Sequence, residues 1–353
     1  MTTAPSNHRH APHARHGRLR THREIRLAAR PAPGTPLTDD LFEVVEVPTP
    51  SPEPGQLLVR TGVMSVTAVM RTLMDETTDV PMRPFALGEP LYGPAIGEVV
   101  SAPGTGFAPG DLVQHDLGWR EFALLDASAA QRVAPGLLPD PAAYLSQGPT
   151  AWMGVTRGAE VRPGDTVFVS GAAGGVGSLA GQAARLRGAR RVVGSAGSQR
   201  KADILREELG YDAVVLRGAG SIEEQLCAAA PEGIDAVIDN VGGEQLQASI
   251  AVANRGARIA LVGALSTQLA GSGSPTTAID TFSLLTRGIT LRGTVLHADH
   301  LDLIPEWYHR FGAGLRAGTL TFPHSRLHGL DNAPRALREL VKGDHVGAVL
   351  VEL

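Results

Sequence analysis

Ala172, Gly174 and Gly177 stand where the apolar run Thr166-Val167-Phe168-Val169 breaks into Ser170-Gly171-Ala172-Ala173-Gly174-Gly175-Val176-Gly177. A helix-like stretch follows through Gln182 and Leu186. Strand, glycine turn and helix in that order are the context in which an A-x-G-x-x-G spacing carries meaning. Gly174 lets the backbone approach a pyrophosphate, and Gly177 lets the helix pack tightly on the strand. The phosphates then meet free N–H groups at the helix N-terminus. A tight turn without a ligand is the alternative, but both flanks favour dinucleotide binding.

The end of the second strand selects the nucleotide. An acid about 20 residues after the glycines would favour NAD. Here Arg191-Val192-Val193-Gly194 runs into Ser195-Ala196-Gly197-Ser198-Gln199-Arg200-Lys201, with no acid at the strand end. A carboxylate would repel a 2′-phosphate, whereas Ser195, Arg200 and Lys201 can donate charge-assisted hydrogen bonds to it. An ordinary solvated helix start is the competing reading. Cations are nevertheless unfavourable at a helix N-terminus unless an anion is near, so the pattern points to NADP(H).

Around this motif the chain has 353 residues, 43% of them hydrophobic, enough for two sizeable cores. A net charge of −4 argues against a nucleic-acid or membrane-surface partner. Lys201 and Lys342 are the only lysines beside 30 arginines, a bias that fits a GC-rich coding sequence better than a functional patch. Cys227 is the only cysteine, which excludes an internal disulfide and argues against a cysteine-based metal site. With no apolar run of transmembrane length and no signal-peptide core, a soluble, cytoplasmic protein is expected.

Residues 1–22 carry His8, His10, His13, His16 and His22 with several arginines and no acid, so a disordered tail is expected there, with order beginning near Ile25. Short strands punctuated by Pro and Gly follow to about 145: Phe42–Val47, Leu57–Val63, Ala95–Val100, Leu112–His115 and Glu121–Leu125. They read as a compact β-barrel-like domain. Beyond 146, candidate strands at 166–170, 190–194, 213–216, 235–239, 257–263 and 289–295 alternate with helical stretches, as a doubly wound parallel sheet requires. After a helix near 300–316, residues 318–353 read as β-rich and return to the first domain. The fold class is thus α/β, a β-rich domain (23–145 and 318–353) with a Rossmann domain (146–317).

The chain resembles the zinc-independent medium-chain dehydrogenase/reductase superfamily, and within it the prostaglandin reductase and leukotriene B4 dehydrogenase group of NADPH-dependent alkene reductases. The likeness covers about 25–353. It rests on Arg26-Leu27-Ala28-Ala29-Arg30-Pro31, Met64-Ser65-Val66 with Met70-Arg71, Gly118-Trp119-Arg120-Glu121 and Gly148-Pro149-Thr150-Ala151. Further anchors are Val169–Gln182, Asp239-Asn240-Val241-Gly242-Gly243, Gly263-Ala264-Leu265-Ser266-Thr267, and Gly343 with Gly347. It implies a GroES-like catalytic domain, a Rossmann domain, a cleft between them and a homodimer. The family's 2′-phosphate lysine falls on Lys201, and the tyrosine near that phosphate is replaced by Arg217. Thr150, Gly175, Val176, Gly263 and Ala264 are expected at the cofactor, and Asn240 and Val241 beside the nicotinamide ribose. His345 replaces a cofactor-contacting asparagine.

Aligned on Gly97, the histidine and glutamate of the superfamily's alcohol dehydrogenases become Gly93 and Pro94. His297 and His300 have i,i+3 spacing but no partners, so no metal is expected. Hydride addition to a plain ketone concentrates charge on one oxygen, which a metal or strong donor must stabilise. Addition to a conjugated enone spreads it, so C=C reduction is favoured. The tyrosine that bonds the substrate oxygen in related reductases is Gln268 here. Two other family tyrosines become Val69 and Trp152, and an Asp-Pro becomes Thr67-Ala68. Tyr92 is a candidate proton donor, Val69, Met70 and Trp152 a candidate pocket wall, and Leu269–Pro275 a candidate lid.

Three readings follow. The first is an NADPH-dependent reductase of α,β-unsaturated carbonyl compounds. The second is a biosynthetic reductive cyclase, of the kind that closes rings in polycyclic tetramate macrolactams, where hydride addition to a polyene triggers Michael-type closure. The third is an NADPH-binding protein without turnover, like the quinone-binding crystallins.

Overall fold

The computed structural model describes residues 21–32, 34–78, 80–268, 276–296 and 300–353, with the main chain only at 267 and 268. The expected tail through residue 20, the loop Leu269–Pro275, the Gln268 side chain and His297 lie outside the described residues. Order begins earlier than Ile25, because Thr21 and His22 already belong to the first strand.

Fifteen described strands follow in chain order: β1 Thr21–Leu27, β2 Phe42–Pro48, β3 Gln56–Val66, β4 Ala95–Ser101, β5 Leu112–His115, β6 Phe122–Asp126, β7 Gln131–Arg132, β8 Thr166–Val169, β9 Arg191–Ala196, β10 Ala213–Leu216, β11 Ile234–Asp239, β12 Ala253–Leu261, β13 Thr290–Gly293, β14 His324–His328 and β15 Ala348–Glu352. The described helices are α1 Val69–Leu73, α2 Gly148–Met153, α3 Gly177–Leu186, α4 Gln199–Glu207, α5 Ile222–Ala229, α6 Gly243–Ala251, α7 Leu265–Gln268, α8 Thr281–Arg287, α9 Leu303–Ala317 and α10 Ala333–Lys342.

β8 is buried throughout, with three of its four residues apolar, because both faces of its sheet are covered. Val167 and Val169 enter one core with Trp152, Leu179 and Trp307, while Phe168 enters another with Val193, Val237 and Ile259. The resulting parallel sheet has the order β10-β9-β8-β11-β12-β13, using all six strands that the sequence pattern suggests. Strand order reverses at β8, between β9 and β11, which opens a crevice at the carboxyl ends of these strands.

The other large sheet runs β14-β15-β3-β4-β5-β7, with β6 also paired to β3. β15 pairs antiparallel with β3, Val349 opposite Val66, so the C-terminal strand completes the sheet begun near the N-terminus. The β-rich reading of this last segment needs one correction. Ala333, Ala336 and Leu337 are buried on one face of the ten-residue helix α10, which ends at Gly343 with φ +77°. Glycine takes that left-handed conformation without a Cβ penalty.

Candidate active site

The glycine turn follows β8 directly. Ser170 Oγ donates to Asp239 Oδ1 at 2.6 Å and accepts from the Asn240 N–H at 2.8 Å, tying the ends of β8 and β11 together. Burial raises the Asp239 carboxyl pKa, opposed by its bonds from Ser170, Val241 and Gly242. Gly177 opens α3, and a Cβ there would collide with Gly171 O and Ala172 Cα. That is the close packing expected of the last motif glycine. No side chain caps α3; the Ser178 and Leu179 N–H groups donate to Gly174 O and Val176 O, which leaves the Val176 and Gly177 N–H groups to face the cleft.

This turn forms part of the wall of a cleft of about 980 Å³. Gly174, Gly175, Val176, Gly177, Ser195, Arg200, Lys201, Arg217, Asn240, Val241, Gly263 and His345 all line it, drawn together from separate parts of the chain. Ala172 is fully buried behind the wall, and Thr150 and Ala264 stay out of it.

At one end, three cations gather beyond β9. Arg200 Nη2 donates to Asp344 O at 3.2 Å, and Lys201 Nζ donates to Gly343 O. Arg217 stands over Gly197, with Nη2 3.1 Å from where a Cβ would lie. Burial, then Arg200, lowers the Lys201 pKa; Asp344 opposes this and Arg217 adds to it. Main-chain oxygens hold two of the cations, leaving their charge unneutralised for an incoming anion. Ser195 departs from expectation: its hydroxyl accepts from the Gly171 N–H at 2.8 Å and donates to Gln245 Oε1. It shapes the turn and has no proton left for a phosphate.

His345 Nε2 lies 3.1 Å from Glu339 Oε2, poorly aligned for a hydrogen bond. Burial lowers its pKa, with Glu339 opposing. Asn240 Nδ2 donates to Ser170 O at 2.7 Å, while its Oδ1 is buried without a partner.

The other end of the cleft is less polar, with Val66, Thr67, Ala68, Val69, Val262 and Leu265 in its wall. Val69 is where the sequence reading puts it. Met70 and Trp152 are not: each is at most 2% exposed, Met70 in the core below β3 and Trp152 against Trp307. Tyr92 is also displaced. Its hydroxyl donates to Arg83 O, and its ring packs edge-on against Phe85 at 5.0 Å, lining a separate depression with Arg83 and Arg120. Tyr92 lies in the segment just before β4, and its contacts with Arg83 and Phe85 hold it away from the cleft. Gln147, by contrast, lines the cleft unannounced. A single glutamine ahead of Gly148 carries no spacing signal.

Residues 23–133 match the sequence family described as the N-terminal domain of oxidoreductase, and residues 175–308 match the family described as zinc-binding dehydrogenase. The putative NADP-dependent oxidoreductase YfmJ of Bacillus subtilis is 37% identical over 335 residues, covering 94% of this chain and 97% of that protein. The chain belongs to the medium-chain dehydrogenase/reductase superfamily. Within that superfamily, the NADPH-dependent curcumin reductase of Escherichia coli is 31% identical, covering 93% of this chain and 95% of that one. Rabbit (Oryctolagus cuniculus) prostaglandin reductase 1 is 30% identical over 88% of each chain. The crystal structure of CurA from Vibrio vulnificus in complex with NADPH superimposes with a TM-score of 0.85 at 29% identity, covering 94% of this chain and 98% of that one.

The zinc of the second family's description does not fit this superfamily member at Gly93 and Pro94. Glycine and proline supply no side-chain donor atom to a metal at these two positions. Among the described residues no cluster of three or more His, Cys, Asp or Glu side chains is placed to hold a metal ion.

Proposed function

We propose that this oxidoreductase transfers hydride from NADPH to a C=C bond conjugated to a carbonyl. The observation that carries the reading is the continuity of one cleft from the Arg200–Lys201–Arg217 cluster, past the glycine turn, to the apolar wall at Val69. Lys201 and the two arginines would hold the 2′-phosphate, and the α3 N-terminus the pyrophosphate. The unpartnered Oδ1 of Asn240 suits a ribose hydroxyl. When bound, NADPH supplies the hydride. The chain's part is to orient the reacting carbons and exclude water. The relatives named for curcumin and prostaglandin reduction support an unsaturated carbonyl substrate. Hydride goes to the β-carbon, the π electrons move to the carbonyl oxygen, and a proton from water completes the α-carbon.

The wall around Val69 favours a second reading. Val66, Thr67, Ala68, Val69, Val262 and Leu265 include no acid, and Tyr92 faces elsewhere. A substrate carbanion that meets no proton there could instead attack a second acceptor and close a ring, as in a reductive cyclase. The test is cofactor oxidation by the purified protein, NADPH against NADH, with simple enones and a conjugated polyene macrolactam, and NMR of the products. NADPH oxidation with saturated products supports the first reading, and a new carbon–carbon bond from the polyene supports the second. No oxidation with any of these substrates, or equal use of NADH, would overturn both.

A further inference from the structure

Gln147 precedes α2, and its side chain crosses to the glycine turn. A Cβ added at Gly175 would collide with Gln147 Oε1, so the amide lies directly against the Gly175 main chain. Oε1 is buried and accepts from no described donor. The Nε2 end makes only long contacts, 3.4 Å to Ser65 Oγ and 3.4 Å to Leu145 O. A buried amide oxygen without a donor is destabilising, and this one is in the wall of the main cleft.

The surroundings select what could satisfy it. The Val176 and Gly177 N–H groups at the start of α3 attract phosphate oxygens, whereas an amide oxygen repels them. Oε1 therefore suits a neutral group that donates a hydrogen. On a dinucleotide, next to the pyrophosphate and toward the apolar end, such groups belong to the nicotinamide nucleoside: the carboxamide N–H2 and the ribose hydroxyls. We propose that Gln147 accepts a hydrogen bond from the nicotinamide nucleoside and thereby sets the orientation of the reacting ring. The inference rests on the NADPH reading above and adds a residue of this chain to it. Gly175 is part of the same device, because only glycine leaves room for the amide.

Three probes separate the possibilities, each titrated into the full-length protein. NADP+ carries both donor groups, 2′,5′-ADP carries neither, and the 3-acetylpyridine analogue of NADP+ keeps the ribose but replaces the carboxamide N–H2 by methyl. Gln147→Met should weaken NADP+ about three- to tenfold, as expected for one neutral hydrogen bond, and leave 2′,5′-ADP unchanged. If the donor is the carboxamide, the analogue binds wild type and variant alike; if it is a ribose hydroxyl, the analogue shows the same loss as NADP+. Gly175→Ala should weaken NADP+ in the wild type but not in a Gln147→Ala background. Unchanged NADP+ affinity in Gln147→Met, or equal loss of NADP+ and 2′,5′-ADP, would overturn the assignment. Failure of the wild type to bind either NADP+ or 2′,5′-ADP would instead overturn the NADPH reading itself.

Discussion

The Gly347 N–H donates to Ala173 O at 2.9 Å, joining the residue before β15 to the glycine turn. Gly174 and Gly347 form a parallel bridge at the same place. The approach demands glycine twice over: φ at Gly347 is +76°, and a Cβ there would run into the Pro323 carbonyl, a backbone group that cannot swing aside. The left-handed conformation alone costs a non-glycine residue about 1–3 kcal/mol. Gly347→Ala should therefore lower Tm and also weaken NADPH, because it displaces the turn that lines the cleft. An unchanged Tm with unchanged NADPH affinity would show that this junction adapts freely.

Lys201→Ala should raise the Kd for NADPH roughly 10- to 100-fold, from the loss of a charge-assisted bond of about 1.5–3 kcal/mol. NADH lacks the 2′-phosphate and should be almost unaffected. Added salt should weaken NADPH in the wild type more than NADH, since the cation cluster is partly open to screening. Equal weakening of both cofactors in the variant would remove Lys201 from the phosphate.

Tyr92→Phe should leave kcat/KM unchanged for every substrate. The hydroxyl donates to Arg83 O outside the cleft, and its loss should cost about 1 kcal/mol of stability. A large fall in kcat would mean that Tyr92 turns to the cleft when substrate binds.

His115 gives the protein an acid limb of stability. Its Nδ1 accepts from the Leu117 N–H at 3.1 Å, which requires the neutral ring. Burial, aided by Arg120, lowers its pKa from 6.5 to about 4. Between those values the unfolded chain takes up a proton that the folded chain refuses. Stability is therefore full above pH 6.5 and falls as pH drops toward about 4, by on the order of 3 kcal/mol. Urea unfolding at about pH 7 and about pH 5 should show His115→Gln losing less stability on acidification than the wild type. Parallel losses would assign the acid limb to other groups.

The sequence alone determined what depends on spacing along the chain. The β8–turn–α3 unit, the six parallel strands and the cations after β9 are local patterns, and each was legible because its physics acts within a few residues. Helix α10 was not among these: the β-rich reading of the last segment passed over it, although Ala333, Ala336, Leu337, Leu340 and Val341 recur at helical spacing. Tertiary structure alone decided which way side chains face. Met70, Trp152 and Tyr92 have the residue types of a pocket, but packing from distant segments, Trp307 against Trp152 for one, turned them into cores or onto another surface. Ser195 was legible as a hydroxyl but not as one already committed to Gly171 and Gln245. Gln147 was invisible because its meaning depends on Gly175, 28 positions further along the chain. Such facing is set by contacts between residues far apart in sequence, which no local period encodes.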